Sequence, residues 1–293
     1  MNTKANPNIT GVEKAPSRWV MRARGVKRIL MWNGFSKSLP LYLVTEFPKS
    51  GGTWYSQMLA ECLELPFARN YNPPKFESCI MHGVFLYSKR FHNVSVVMRD
   101  GRDIMVSSYY HFLFNNNANL PYAVEKKRKF LQFKDYDDIE TNLPRFIEYM
   151  FTDFSKAWSY RCTWASYVDS WKDQGTLIVK YEELLDDAIA TMNRAVTHLT
   201  GSEMDQEKLA GIVSAYSFEK LTGRKRGQTQ KGNFIRKGIA GDWKNHFNQA
   251  AREAFNEYGG QQLIDLGYES SSDWVNNTVQ PAKQDKETET KGA

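Results

Sequence analysis

The sequence predicts an α/β fold: a parallel central sheet with helices on both faces. Three observations carry that prediction. Short, apolar, β-branched runs recur along the chain, as in LYLVTEF (41–47), VSVVM (94–98) and TLIVKY (176–181). The first two lead through a charged or glycine-bearing turn into residues at helical spacing, and a long aromatic-rich helical stretch precedes the third. Strands alternating with helices pair in parallel and are covered on both faces. Ligands in such sheets sit at the carboxyl ends of the strands, which directs attention to loops 48–53 and 99–103.

The elements follow in chain order. Residues 1–17 are polar and read as a flexible lead, and residues 278–293 as a flexible tail. Between them, 18–277 shows no repeat and no linker, so one domain is expected. RWVMRARGVKRILMWN (18–33) mixes basic and apolar residues. It reads as a surface helix whose apolar side packs on the domain, with a membrane-surface helix as the rival. LYLVTEF lies between Pro40 and Pro48 and reads as a buried strand. Past PKSGGT, the residues Trp54, Met58, Leu59, Cys62 and Leu63 share one side of a helix. VSVVM reads as the next strand, RDGRD as a turn and IMVSSYYHF as a helix start. A helical stretch from Pro144 to Trp171 precedes the strand TLIVKY.

Composition bounds the function. The 293 residues are 41% hydrophobic and 14% aromatic, enough for a sizeable core. A net charge of +6 suits an anionic small ligand, nucleic acid or an acidic membrane surface, without choosing among them. The three cysteines, Cys62, Cys79 and Cys162, are widely spaced and form no C-x-x-C pair. That argues against a disulfide framework or a zinc site and fits a reducing cytoplasm. No run approaches the ~18 apolar residues of a membrane span.

Three segments carry chemistry. In Pro48-Lys49-Ser50-Gly51-Gly52-Thr53-Trp54, two glycines let the backbone approach a ligand, and a helix N-terminus follows. Lys49, Ser50 and Thr53 add donors, so the loop reads as an anion cradle. It is not a Walker loop, because the lysine precedes the glycines. In the second segment, RDGRDIMVSSYYHF, Arg99 ends a strand and Ser107 lies about two helical turns on. An arginine and a hydroxyl together hold a phosphate by charge-assisted bonds. The third, FIRKGIAGDWK (234–244), closes a basic, glycine-rich stretch that begins near Gly223 and reads as a lid over a polyanion. Its rival is a nucleic-acid patch.

PKSGGTW, RDGRDIMVSSYYHF and RKGIAGDWK, in that order, resemble the PAPS-dependent sulfotransferase family, in particular its cytosolic branch. PAPS is 3′-phosphoadenosine-5′-phosphosulfate. The family patterns are P-K-[ST]-G-T-T-W, R-[DN]-x-[KR]-D-x-x-V-S-x-Y-x-[HF] and R-K-G-x-x-G-D-W-K. The resemblance implies a P-loop-like three-layer domain that moves a sulfuryl group from PAPS to a hydroxyl or amine of a small-molecule acceptor, releasing 3′,5′-ADP. It implies no metal and no nucleic-acid or membrane partner. Lys49, Ser50, Gly51, Gly52 and Thr53 would hold the 5′-phosphosulfate, with Lys49 neutralising the leaving oxygen. Trp54, Tyr181, Ser217 and Phe218 would frame adenine, with Tyr216 standing where the family has threonine. Arg99 and Ser107, with Arg236, Lys237 and Gly238 from the lid, would bind the 3′-phosphate.

The family's general base is a histidine between the first two segments. His82 and His92 are the candidates, and His82 matches better, at the end of the apolar run SCIM. Two departures stand out. Ile80 occupies the family's lysine position two residues before the histidine. In the family's K-x-x-x-T-V-x-x-x-E dimer motif, Lys244 and Glu253 match while Asn248 and Gln249 replace Thr and Val. Oligomeric state is therefore left open, as is the acceptor, whose pocket is expected between segments 65–80 and 112–145.

Overall fold

The computed structural model describes residues 18–35, 39–68, 77–116, 121–154, 162–228 and 235–277. The lead and the tail lie outside these residues. Helix α1 (Arg18–Leu30) runs into a short wider turn, Met31–Phe35. Strand β1 (Leu41–Glu46) then enters the sheet and α2 (Gly52–Leu63) leaves it. Strands β2 (Phe67–Ala68), β3 (Cys79–Gly83) and β4 (Val94–Met98) follow. Helices α3 (Gly101–Leu113), α4 (Pro121–Leu131), α5 (Ile139–Thr152) and α6 (Trp164–Trp171) precede β5 (Leu177–Lys180). After β5 come α7 (Tyr181–Asp186), α8 (Ala188–Thr200), α9 (Gln206–Ala215), α10 (Phe218–Thr222) and the long α11 (Gln249–Asp265).

The sheet order is β2-β3-β1-β4-β5, and every pairing is parallel. Alternate residues of β1 face opposite sides, as the pleat requires. Leu41 and Leu43 join a cluster with α3, α5, α6 and α11, through Ile104, Phe146, Trp164 and Phe255. Val44 joins a second cluster with α2, α8 and α9, through Met58, Met192 and Leu209. These are the two covered faces of the expected three-layer fold. The first is rich in Phe, Tyr and Trp and the second is mainly aliphatic; together they hold the strand ends in fixed relation.

The register places the site. Val44 of β1 is opposite His82 of β3, so Glu46, two residues on, lies on the same face one step toward the carboxyl edge. Ile80 shares that face and is fully buried in the second cluster. Where the family pattern has a lysine, this chain has part of its core.

Two sequence expectations are corrected. Of the helical stretch 144–171, the described residues include α5, which begins at Ile139, and α6, while 155–161 lie outside the described residues. Pro144 lies inside α5 rather than at its start. A proline there cannot bond the carbonyl four residues earlier. That carbonyl, on Glu140, accepts instead from Asn248 Nδ2 at 2.9 Å. The second correction concerns α1. Trp19, Ala23, Val26 and Leu30 recur at helical spacing and are exposed, so this stripe does not pack on the domain. The chain enters the core only at Met31 and Trp32.

Candidate functional site

An open cleft lies at the carboxyl edge of β1 and β4. The predicted residues Lys49, Gly51, Thr53, Trp54, Arg99, Ser107, Tyr181, Phe218, Arg236, Lys237 and Gly238 line it. Gly51, the N-cap of α2, has a φ of 91°, and a Cβ there would fall 2.6 Å from the Tyr181 ring. Only glycine meets both conditions. Gly51 has no side chain to cap α2, and the first helical amide, on Gly52, donates instead to Glu46 at 2.6 Å. Gly51 and Thr53 bring the positive end of the helix to the cleft beside Lys49, whose own backbone is left-handed at φ 77°.

Arg99 binds the three segments together. Its guanidinium donates to the Lys49 carbonyl at 3.0 Å and to the Ile239 carbonyl at 3.2 Å, and it pairs with Asp103 at 3.4 Å. It also lies over the Tyr181 ring, 4.3 Å from the centroid. Asp103 in turn accepts from the backbone of Gly241 (2.7 Å) and Trp243 (2.9 Å). Arg102 completes the clasp. It bonds Asp100, the N-cap of α3, and stacks 3.8 Å over Trp243. The charged turn RDGRD is thus the bracket that fastens the lid segment to the loop.

The lid cations are held by a carboxylate. Asp242 is buried and pairs with Arg236 and with Lys237, the latter at 2.7 Å. Burial opposes its charge, but His246, Arg236 and Lys237 outweigh that and keep its carboxyl far below the usual range. Gly238 has φ 64°, and a Cβ there would run into the Phe218 ring. Arg224, Arg236 and Lys237 spend donors on this chain's own carbonyls and on Asp242.

Lys49 is the electrostatic centre. Burial pushes its pKa from 10.5 down to about 7, and Arg99 and Arg236 push the same way while Glu46 opposes them. An anion in the cleft would restore its full charge. Trp54 is anchored by its indole N–H to the Tyr216 carbonyl at 2.8 Å, edge-on to Tyr181. The Tyr216 side chain reaches Glu61 at 3.2 Å, so the departure from threonine leaves the aromatic slot intact.

Four predicted residues lie off the lining. Ser217 caps α10, accepting from the Lys220 amide at 3.4 Å. Ser50 is buried, and its hydroxyl has no hydrogen-bond partner among the described residues. Gly52 is covered by Glu46. His82 is buried beside Phe67 and reaches the cleft through Glu46, with Nε2 and Oε1 2.7 Å apart. The other candidate base, His92, is exposed in a loop. Sequence reasoning missed Glu46, Gln57 and Arg226, which also line the cleft. It missed as well the electrostatic link between Lys49 and His111, whose imidazole is kept neutral by burial, Lys49 and Lys127. Asn248 and Gln249, which replace the family's dimer residues, are used within the chain: Asn248 caps α11 and Gln249 bonds Glu253.

Among the described residues no helix is long and apolar enough to cross a membrane, and all three cysteines are free and buried.

The fold and segments have counterparts among known proteins. The sulfotransferase domain family matches residues 86–267. Human sulfotransferase 2A1 is 23% identical over 266 residues, covering 76% of this chain and 84% of that protein. Guinea-pig (Cavia porcellus) sulfotransferase 1E1 is 24% identical over 75% of this chain and 82% of its own length. Among solved structures, mouse sulfotransferase SULT7A1 complexed with PAP aligns with a TM-score of 0.55 at 17% identity, covering 84% of this chain and 92% of that one. Retinol dehydratase in complex with androsterone and inactive cofactor PAP aligns at 0.52 and 16%, covering 83% and 86%. The family match spans most of the chain, including the arginine clasp and the lid, and the fold agrees with it. This chain belongs to the sulfotransferase domain family.

Proposed function

We propose that this chain transfers the sulfuryl group of PAPS to a hydroxyl or amine of a small-molecule acceptor and releases 3′,5′-ADP. One observation carries the reading: a single guanidinium, Arg99, bonds the phosphate loop and the lid across a cleft that holds Lys49. A cleft lined by Lys49, Arg99, Arg236 and Lys237 and by the aromatic residues Trp54, Tyr181, Tyr216 and Phe218 suits a nucleotide with two phosphate-like groups. Lys49, Ser50, Gly51, Gly52 and Thr53 would surround the phosphosulfate. Trp54, Tyr181 and Phe218 would clamp adenine. Ser217 would act there through its cap on α10. Arg99, Ser107, Arg236, Lys237 and Gly238 would receive the 3′-phosphate.

In this reading His82 takes the acceptor's proton as the new bond to sulfur forms. Lys49 stabilises the charge that gathers on the phosphate oxygen as the old S–O bond breaks. Sulfuryl transfer resembles phosphoryl transfer in relying on positioning and charge stabilisation. Ile80 puts no cation beside the histidine, so Lys49 carries more of that stabilisation. The test is turnover of labelled PAPS with a panel of phenols, alkyl alcohols and amines, for the natural chain and for His82→Ala. The variant should lose roughly 10²–10⁴-fold in kcat, as loss of a general base does, with 3′,5′-ADP binding kept. Full activity in His82→Ala would remove the proposed base.

A further inference from the structure

We propose that Glu46 is the positioning residue of the base: it grips the His82 ring by Nε2, so that Nδ1 is the atom that takes the acceptor's proton. The inference rests on the sulfotransferase reading and adds a residue that the motifs do not contain.

Both side chains are buried, Glu46 at 8% exposure and His82 at 7%. Each carboxylate oxygen has a defined partner. Oε1 is 2.7 Å from His82 Nε2, and Oε2 accepts from the Gly52 amide at 2.6 Å. A buried carboxylate facing an imidazole nitrogen draws the proton to that nitrogen. The other nitrogen, Nδ1, is buried and has no partner among the described residues. It is the ring nitrogen that Glu46 leaves unused, at the carboxyl edge of β3 next to the strand that carries the phosphate loop, and an acceptor entering the site must uncover it. Turning the ring over would put a carbon against Glu46 and forfeit the bond.

The loop sequence accommodates this pair. A Cβ on residue 52 would lie 2.6 Å from Glu46 Cδ and 2.9 Å from its Cγ. Gly52 is therefore the space that the carboxylate fills. The bond from its amide ties the carboxylate to the first residue of α2, so the base and the phosphate loop keep one register. Glu46 also lines the cleft, and its charge supports protonation of Lys49 against burial, Arg99 and Arg236.

The chemistry balances. The acceptor's proton passes to Nδ1, its electron pair forms the bond to sulfur, and the S–O electrons leave on the phosphate oxygen beside Lys49. Nε2–H stays donated to Glu46, and the carboxylate stabilises the imidazolium that forms. A carboxylate behind a histidine serves serine hydrolases in the same way.

The experiment uses the full chain with ¹⁵N-labelled histidine, of which there are five, and the variants Glu46→Gln and Gly52→Ala. In the natural chain the His82 resonances, assigned by their loss in His82→Ala, should show the Nε2–H tautomer. In Glu46→Gln that preference should collapse. Labelled-PAPS turnover is read at about pH 6, below the Lys49 titration near 7, so that charge lost from Lys49 does not imitate the effect. There kcat should fall about 10²-fold or more, with 3′,5′-ADP affinity within about twofold. Gly52→Ala, which displaces the carboxylate, should lower kcat in the same direction and add little in the double variant. An Nδ1–H tautomer in the natural chain, or unchanged kcat in Glu46→Gln, overturns the proposal. The tautomer measurement needs neither an acceptor nor a folded Glu46 variant. Failure of the sulfotransferase reading shows differently, as absent 3′,5′-ADP binding in the natural chain.

Discussion

The loop between β1 and α2 is held from two sides by opposite charges. On the cleft side Arg99 donates to its Lys49 carbonyl; on the histidine side Glu46 accepts from its Gly52 amide. The cleft side gathers Lys49, Arg99, Arg236 and Lys237, with Asp103 paired to Arg99 and Asp242 paired to Arg236 and Lys237. The histidine side has a carboxylate, an imidazole and an apolar neighbour at Ile80. In the proposed reaction one side receives negative charge and the other a proton. Transfer of an anionic group with loss of an acceptor proton needs both within reach of one loop.

The largest effect should come from breaking the cleft side at its clasp. Arg99→Met leaves Asp103 buried without its cation and frees the lid from the loop. It should cost about 3–5 kcal/mol of stability and abolish 3′,5′-ADP binding, as checked by chemical denaturation and calorimetry. Lys49→Met should fold and bind nucleotide, yet lower kcat about 10²–10³-fold, read from labelled-PAPS turnover. Equal losses in binding and kcat would place Lys49 in nucleotide affinity alone and blur the division between the two sides.

A pH titration sharpens the contrast. Lys49 in the free chain titrates near 7, and an anion bound beside it favours the protonated form. Binding should then take up a proton above pH 7, and affinity for 3′,5′-ADP should fall as pH rises through that point. Calorimetry in buffers of different ionisation enthalpy reads the proton uptake, which Lys49→Met should remove. The smallest effect belongs to Gly238→Ala. The added Cβ meets Phe218 in a left-handed backbone, a strain of order 1–3 kcal/mol. It should weaken nucleotide binding about tenfold or more and leave the histidine side untouched.

What the sequence disclosed divides along the same line. β4 coincides with VSVVM, β1 lies within LYLVTEF, and the glycine loop, Arg99 and the lid come together as their order implied. Those features are local: periodicity, turn residues and spacing record them. Glu46 escaped notice because in sequence it is one polar residue near the end of an apolar strand. Its meaning arises only from the register that sets Val44 opposite His82 and from the space at Gly52, both of them tertiary facts. Ser217 shows the converse. The family resemblance implied a pocket contact, and its hydroxyl is found capping a helix, a role the local pattern also allows. The exposed stripe of α1 was unreadable for a further reason, since periodicity reveals an apolar face but not whether anything covers it.

The central claim is that the cleft recognises a nucleotide carrying a 3′-phosphate. Calorimetric titration of the full chain with 3′,5′-ADP and with 5′-AMP tests it most directly. Arg99, Arg236 and Lys237 should make 3′,5′-ADP the tighter ligand by about 10²-fold or more, the scale of one or two charge-assisted hydrogen bonds. Equal affinity for the two nucleotides would contradict the account.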